Sequence, residues 1–108
     1  MRSVNDIRIW VDDIRIIPDE YTNWCKSVRE CIDTIEYARR NNRVVSIIDL
    51  DHDSGEYYDD GGDYIRILDY IEQYYPDNDI VFRIHTQNPV GRDNMLSIIL
   101  NNGWKYEF

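Results

Sequence analysis

The amino-acid sequence predicts an α/β fold, in which a mostly parallel sheet of five strands packs against helices. Two observations support this fold class. Segments with strand-like and helix-like spacing of apolar residues alternate along the chain, and Val44–Leu50 is apolar almost throughout. Such a run is typical of a strand that is buried on both faces, and alternation of strands with helices implies parallel pairing through right-handed crossovers. The 108 residues suffice for one domain, 1–108, with one core.

The first half of the chain contains three predicted strands and one helix. Residues 7–11 are mainly β-branched or aromatic and predict the first strand, and residues 22–26 predict a second, short one. Residues 27–30 have the pattern of a capping box and begin a helix, which Val44–Leu50 follows as the third strand. The connection of residues 12–21 is short for a crossover helix. Either the second strand is antiparallel to the first, or a bare loop makes the crossing.

The second half contains two further strands and two helices. Residues 51–62 are polar and acidic and predict a long loop, and residues 64–75 have the apolar spacing of a helix. A fourth strand lies within residues 79–85, and a third helix follows the turn at residues 88–91. Residues 104–108 alternate and predict a last strand at the edge of the sheet. Because an edge strand can pair with a second copy of the chain, we expect that a homodimer can form there.

Composition excludes several classes of partner. The net charge is −9, with 12 Lys and Arg against 21 Asp and Glu, so the surface repels the backbone of a nucleic-acid duplex. No apolar run reaches the roughly 20 residues that span a bilayer, and the first residues do not resemble a signal peptide. We therefore expect a cytoplasmic protein that binds neither duplex nucleic acid nor a membrane. Cys25 and Cys31 are expected to be buried thiols.

Polar side chains follow three of the predicted strands. Asp12 and Asp13 follow the first strand, Asp51-His52-Asp53 the third, and His85 the fourth. The carboxyl ends of neighbouring parallel strands share one crevice, and ligands bind there. The sequence therefore predicts that these acidic and imidazole groups meet at one edge of the sheet.

Three of the acidic residues are candidate metal ligands. Asp12, Asp13 and Asp51 are expected to repel one another, and a divalent cation such as Mg²⁺ or Mn²⁺ relieves that repulsion. The alternative is that they are ordinary turn residues, since aspartate is common directly after a strand. Arg15 either pairs with these acids or reaches the ligand, and the pairing is favoured. Asp49 is expected to point elsewhere.

The two histidines are candidate catalytic residues. His52 and His85 are the side chains here that titrate near neutrality without perturbation. One imidazole can take a proton from water or a hydroxyl while the other protonates a leaving oxygen, and Asp51 or Asp53 can fix a tautomer. The alternative for each histidine is a structural hydrogen bond. The predicted catalytic set is His52, His85 and Asp53.

The turn before the third helix is a candidate phosphate site. The amino-terminal end of a helix presents free amides and a partial positive charge, so Asn88 and its neighbours can hold an anion. Arg92 in the first turn can add a bidentate contact. The alternative is that Pro89 and Gly91 only shape the turn.

Three blocks of sequence resemble the cyclic-phosphate-processing receiver domain family. They cover residues 10–18, 48–55 and 85–95, and the family's patterns are LDD-x-R-x-x-P, LDHDLG and H-S-x-N-P-x-G-x-x-N-M. Ser54 stands where leucine is usual, and Thr86 stands where serine is usual. The resemblance implies a receiver-like (flavodoxin-like) three-layer domain, here reduced in helices.

The resemblance also implies a function, the processing of cyclic phosphate ends of RNA or nucleotides. It suggests a phosphodiesterase-type reaction and places Thr86 where a receiver's hydroxyl contacts a phosphoryl oxygen. Two alternatives stay open: a non-enzymatic module that binds a nucleotide or a partner protein, and phosphoacceptor signalling through Asp51. Lys105 begins the last strand, whereas a receiver's lysine lies at that strand's far end, which argues against signalling.

Overall fold

The computed structural model describes residues 6–107 of the chain. The strands of this part are β1 (Asp6–Val11), β2 (Asn23–Cys25), β3 (Val44–Leu50), β4 (Val81–Ile84) and β5 (Lys105–Tyr106). The α-helices of the same part are α1 (Val28–Arg40), α2 (Ile65–Tyr74) and α3 (Pro89–Asn101), and Gly55–Asp60 forms a 3₁₀ helix.

All strands pair in parallel, in the order β2-β1-β3-β4-β5, which confirms the predicted α/β fold class. The register at the carboxyl edge is close: Val11 lies opposite Leu50, and Leu50 lies opposite Ile84. The amide of Asp51 donates to Val11 over 2.9 Å, and the amide of His85 donates to Leu50 over 2.9 Å. The residues that follow these three strands are therefore neighbours.

The connection from β1 to β2 crosses as a bare loop, so of the two alternatives for this segment the antiparallel one is wrong. Hydrogen bonds hold the loop against the sheet. The indole of Trp10 donates to the carbonyl of Arg15 over 3.0 Å, and the amide of Thr22 donates to the carbonyl of Arg8 over 2.8 Å. These contacts replace the packing that a crossover helix would provide.

The two faces of the sheet are covered differently. The steps from β2 to β3, β4 and β5 all run in one direction, so right-handed crossovers place α1, α2 and α3 on the same face, which we call the helical face. The step from β1 to β2 runs the other way, and residues 12–22 cover the opposite face, which we call the open face. The third layer of the domain is thus a loop without a helix.

Each face has its own apolar cluster. The helical face contains the larger one, in which Ile9, Ile48 and Phe82 are fully buried among helix side chains. The open face has a small cluster built from Trp10, Tyr21 and Ile47. Stability therefore comes mainly from the helical face.

Boundaries differ from the predictions where tertiary contacts intervene. The fourth strand lies within the predicted residues 79–85 and begins at Val81, after Ile80, whose amide donates to the side chain of Asn78 over 3.1 Å. The predicted loop after β3 contains the 3₁₀ helix Gly55–Asp60, and Asp60 accepts a 2.6 Å hydrogen bond from Ser27 at the start of α1. The last strand lies at the edge of the sheet as predicted, but spans two residues, and Phe108 lies outside the described residues.

The start of α1 follows the predicted capping box in part. The hydroxyl of Ser27 accepts the amide of Glu30 over 3.0 Å, although the Glu30 carboxylate reaches the amide of Lys26 rather than that of Ser27.

Cys25 and Cys31 are buried free thiols, as expected. Within residues 6–107, no helix has the length and apolar character needed to span a bilayer.

Candidate active site

Asp12, Asp51 and His85 meet at the carboxyl edge of the sheet. One ligand atom from each of them lies within 4.8 Å of the others. The Nε2 atom of His85 is 2.9 Å from Oδ2 of Asp12. This convergence follows from the parallel register of β1, β3 and β4, as the sequence predicts for these three residues.

Asp12 is almost fully buried and is hydrogen-bonded at both carboxylate oxygens. Its Oδ1 accepts the amides of Ile14 (2.9 Å) and Arg15 (2.8 Å), and its Oδ2 faces Arg15 Nη1 (3.1 Å) and His85 Nε2 (2.9 Å). Burial raises the pKa of Asp12, but the two amides, His85 and the guanidinium outweigh it, so the pKa lies below its ordinary value. Asp12 is therefore a fixed carboxylate.

His85 is held between two carboxylates and stacked on an indole. Its Nδ1 is 2.7 Å from Asp49 Oδ1, and its ring lies 3.8 Å from the Trp10 ring centroid, with 6° between the planes. Burial lowers the pKa of His85, but Asp49 and Asp12 outweigh it and raise the pKa. Because each carboxylate accepts a hydrogen, the two contacts favour the protonated ring.

The contact with Asp49 was not expected from the sequence, which suggested that Asp49 points elsewhere. Asp49 points to the open face, where the hydroxyl of Tyr21 donates to its second oxygen. Arg83 Nη1 donates to that hydroxyl over 3.1 Å, and Arg83 Nε donates to Glu107 over 2.9 Å. The signal in the sequence is a charged residue inside the mostly apolar strand β3.

These side chains line a cleft of about 350 Å³ on the open face. Burial and the contact with Asp49 raise the pKa of Tyr21, while Arg83 acts in the opposite direction. The Tyr21 hydroxyl therefore stays protonated at neutral pH and serves as a hydrogen-bond donor. A series of hydrogen bonds thus runs from the cleft to the crevice through Asp49 and His85.

Arg15 lies between the acids, so the pairing that the sequence favoured is the one observed. Its Nη1 is 3.1 Å from Asp12 Oδ2 and 3.3 Å from Asp51 Oδ2. The residues lining this part of the crevice, a cavity of about 150 Å³, are Asp12, Asp13, Ile14, Arg15 and Asp51. The guanidinium supplies a positive charge at the point where a cation would bind.

The donor set at this edge suits a divalent cation in type and spacing. Asp12 and Asp51 offer the hard oxygens that Mg²⁺ and Mn²⁺ prefer, and His85 can add Nε2 only when its ring is neutral. Arg15 contacts the same oxygens, but its side chain is 45% exposed and can turn outward. The residues therefore fit a cation that displaces the guanidinium.

Asp13, the third predicted ligand, is placed differently. Its Oδ2 lies so close to Gly55 that a Cβ at that position would approach it to 2.4 Å, so the backbone of Gly55 packs against the carboxylate. Burial raises the pKa of Asp13, and the charges of Asp12 and Asp51 add to this rise. Asp13 therefore lines the crevice but packs against the loop after β3, outside the group of Asp12, Asp51 and His85 whose ligand atoms lie within 4.8 Å of one another.

His52 belongs to a second group beside the first. Its Nδ1 is 2.8 Å from Asp53 Oδ1, and its backbone amide donates to Asp51 over 2.7 Å. Its ring lies on the first turn of α3, where a Cβ at Gly91 would come within 2.4 Å of His52 Cγ. Within residues 6–107 no hydrogen bond joins His52 to His85, and His52 Nε2 forms none. Asp51 and Arg15 connect the two groups.

The three predicted phosphate-binding residues have partners within the fold. The hydroxyl of Thr86 accepts the amide of Asn88 (3.2 Å), and the side chain of Asn88 caps α3 by accepting the amide of Gly91 (3.0 Å). Arg92 donates to the carbonyl of Ile84 and, over 3.0 Å, to the hydroxyl of Tyr106. Their role in binding phosphate stays a prediction.

Lys105 lies at the opposite edge of the sheet from the crevice. It pairs with Val81, the first residue of β4, and its Nζ is 3.5 Å from Asp79 Oδ1. The ammonium is therefore far along the strand from Asp51, as the sequence indicated.

The fold and the site together define a receiver-like α/β domain of the flavodoxin type, with acids and imidazoles at the carboxyl edge of an all-parallel sheet. The chain belongs to the cyclic-phosphate processing receiver domain family, whose model matches residues 7–101. The match runs from β1 to the last residue of α3. No curated protein and no solved structure matches the chain.

Proposed function

We propose that the crevice opens cyclic phosphates, with a nucleotide or RNA end that bears a 2′,3′-cyclic phosphate as substrate. One observation supports this function above the others: each histidine has a carboxylate at Nδ1, Asp49 for His85 (2.7 Å) and Asp53 for His52 (2.8 Å). A carboxylate at Nδ1 orients an imidazole so that Nε2 can exchange a proton with a substrate.

The proposed reaction is hydrolysis of one phosphoester bond. Water loses a proton and attacks phosphorus, the bond from phosphorus to one ribose oxygen breaks, and that oxygen takes up a proton. His52 is the proposed base, because its Nε2 has no hydrogen-bond partner in residues 6–107. His85 is the proposed acid, because its Nε2 faces the crevice beside Asp12 (2.9 Å) and a leaving oxygen placed next to Nε2 can take up its proton.

Positive charge beside the phosphate comes from a few groups in an acidic protein. Arg15 is partly exposed between Asp12 and Asp51, and Arg92 lies in the first turn of α3. A divalent cation held by Asp12 and Asp51 would neutralise charge on the phosphate oxygens. The overall charge of −9 disfavours a long polyanion, so we propose a short end or a mononucleotide as substrate.

The test is a hydrolysis assay on 2′,3′-cyclic nucleotides and on RNA oligomers that end in a cyclic phosphate. Turnover is measured by chromatography with Mg²⁺, with Mn²⁺ and with a chelator. We expect His85→Ala and His52→Ala each to lower turnover by about 10²- to 10⁴-fold. Lys105→Ala, at the other edge of the sheet, is the control and should keep full activity. Equal turnover in wild type and both histidine variants would contradict the proposal.

A second candidate is a receiver-like module that binds a cyclic-phosphate nucleotide or a partner protein without turnover. The observation that favours it is that His85 Nε2 already has a partner in Asp12 and that Arg15 already neutralises the acids. Calorimetric binding of a cyclic nucleotide to wild type, with no product after prolonged incubation, would support this alternative. Signalling through Asp51 is disfavoured by the position of Lys105, at the other edge of the sheet. If Asp51 were a phosphoacceptor, small phosphodonors would label it.

A further inference from the structure

Asp49 is an acidic side chain in an unusual place. It is only 6% exposed, and it lies within β3 on the open face, beside the apolar Ile47 and Trp10. Burying a carboxylate is costly unless hydrogen bonds compensate. Both oxygens of Asp49 are used: Oδ1 by His85 Nδ1 (2.7 Å) and Oδ2 by the hydroxyl of Tyr21.

The hydrogen bonds also define directions. A guanidinium can only donate, so the contact of Arg83 Nη1 with the Tyr21 oxygen (3.1 Å) uses that oxygen as the acceptor. The hydroxyl hydrogen is then directed at Asp49. Asp49 is thereby held as an acceptor, and His85 must present an N–H at Nδ1.

Stacking and hydrogen bonding restrict His85 in different ways. The nearly parallel Trp10 ring sets the plane of the imidazole, and the indole is itself fixed by its 3.0 Å bond to the Arg15 carbonyl. A stacked plane does not distinguish the two orientations that differ by a half-turn of the ring. A hydrogen bond to Nδ1 does, because the half-turn would place a carbon opposite Asp49.

We propose that Asp49 is a positioning residue, which, supported by Tyr21, holds the His85 ring in the orientation that directs Nε2 into the crevice beside Asp12. The catalytic consequence rests on the proposed function, whereas the ring orientation is independent of turnover. The open-face cleft therefore acts as the support of the imidazole, and Asp49 itself does not touch the substrate.

The first measurement is nuclear magnetic resonance of the two imidazoles. The chain has two histidines, so His52→Gln assigns both sets of ring signals. In Asp49→Ala we expect the nitrogen chemical shift of His85 Nδ1 to move away from the value of a hydrogen-bonded N–H. The ring-current shift that Trp10 imposes on the His85 ring should change as well. The His52 signals should stay in place, because His52 is held by Asp53 and not by Asp49.

Two further variants separate positioning from general disturbance. Asp49→Asn keeps an oxygen that can accept Nδ1–H, so it should recover most of the wild-type ring signals. Glu107→Gln removes a carboxylate that lines the same cleft but contacts Arg83 rather than His85, and it should leave the ring signals unchanged. If Asp49→Ala does not fold, Asp49→Asn and Tyr21→Phe provide the test, with a smaller displacement of the His85 signals expected in each.

The second measurement is turnover of a 2′,3′-cyclic nucleotide. We expect Asp49→Ala to lower kcat by about 10²-fold with little change in KM, and Asp49→Asn to recover part of that loss. Unchanged His85 signals in Asp49→Ala, or in Tyr21→Phe if Asp49→Ala does not fold, would overturn the positioning role, whatever the turnover. If Asp49→Ala alters the His85 signals but the wild-type protein does not hydrolyse the cyclic nucleotide, the positioning role is supported and the proposed function is contradicted.

Discussion

The two faces of the sheet use the same strands but perform different tasks. On the helical face, side chains of β1, β3 and β4 pack against three helices, and the residues there are almost entirely apolar. On the open face, a small apolar cluster lies beside a chain of polar residues that runs from Glu107 and Arg83 to Asp49 and His85. Alternate residues of one strand thus serve the core and the site.

Each imidazole is supported from a different face. His52 lies against Gly91 in the first turn of α3, which belongs to the helical layer. His85 is stacked on Trp10 and bonded to Asp49, both on the open face. A substitution on one face should therefore change the position of the histidine supported from that face and leave the other histidine in place.

The largest expected effect comes from a matched pair of neighbours in β3. Ile48 is fully buried on the helical face, and Ile47 is 4% exposed on the open face. We expect Ile48→Ala to lower the free energy of unfolding toward the upper end of the range of about 2–5 kcal/mol, and Ile47→Ala toward its lower end. Urea denaturation measures both. Equal losses would show that the two faces contribute alike.

The next effect tests the support of His52. Alanine in place of Gly91 adds up to about 1 kcal/mol of helix propensity, but its Cβ would lie 2.4 Å from His52 Cγ and displace the ring. We expect Gly91→Ala to lower turnover of a cyclic nucleotide by about 10²-fold while the free energy of unfolding changes little. Val90→Ala, at an exposed position of the same turn, is the control. Full activity of Gly91→Ala would show that this contact does not place the imidazole.

A smaller effect concerns the loop on the open face. Arg15→Ala removes the guanidinium from the Oδ2 atoms of Asp12 and Asp51, so binding of Mn²⁺ should tighten by about fivefold, the size of a partly exposed ion pair. Titration calorimetry measures the affinity, and Arg15→Lys is the matched variant that retains the charge. If Arg15→Ala and wild type bind Mn²⁺ equally, the guanidinium does not occupy the cation position.

The smallest expected effect is a dependence of stability on pH. Asp49 and Asp12 raise the pKa of His85 against the effect of burial, so the folded state binds the proton more tightly than the unfolded chain does. This contribution is complete below the unfolded pKa of about 6.5 and is lost as the pH rises through the higher folded pKa. The stability difference between wild type and His85→Gln should therefore shrink as the pH rises from about 5.5 to about 9.

Denaturation in a chelator across this range measures the difference. His52→Gln keeps His85 and both of its carboxylates, so it should retain the wild-type loss of stability. A difference between wild type and His85→Gln that is constant with pH would show that the two carboxylates do not retain the proton.

The convergence of Asp12, Asp51 and His85 could be predicted because strand ends and parallel register are local and periodic properties. The direction of Asp49 could not, since an apolar run such as Val44–Leu50 does not reveal which face each residue occupies. The partner of Arg92 could not be predicted either, because the pattern of the last strand does not show which of its side chains reaches the first turn of α3. Side-chain contacts between separate elements were the part that the residue pattern did not contain.

The order of the strands has a consequence for how the chain folds. β1 lies between β2 and β3, which are themselves joined through α1, so the centre of the sheet is completed only when the first strand inserts between two later ones. That pairing joins residues far apart along the chain, such as Asp6 with Val44. Contacts between residues far apart in the chain form more slowly than helices do, so we expect docking of β1 to limit the folding rate.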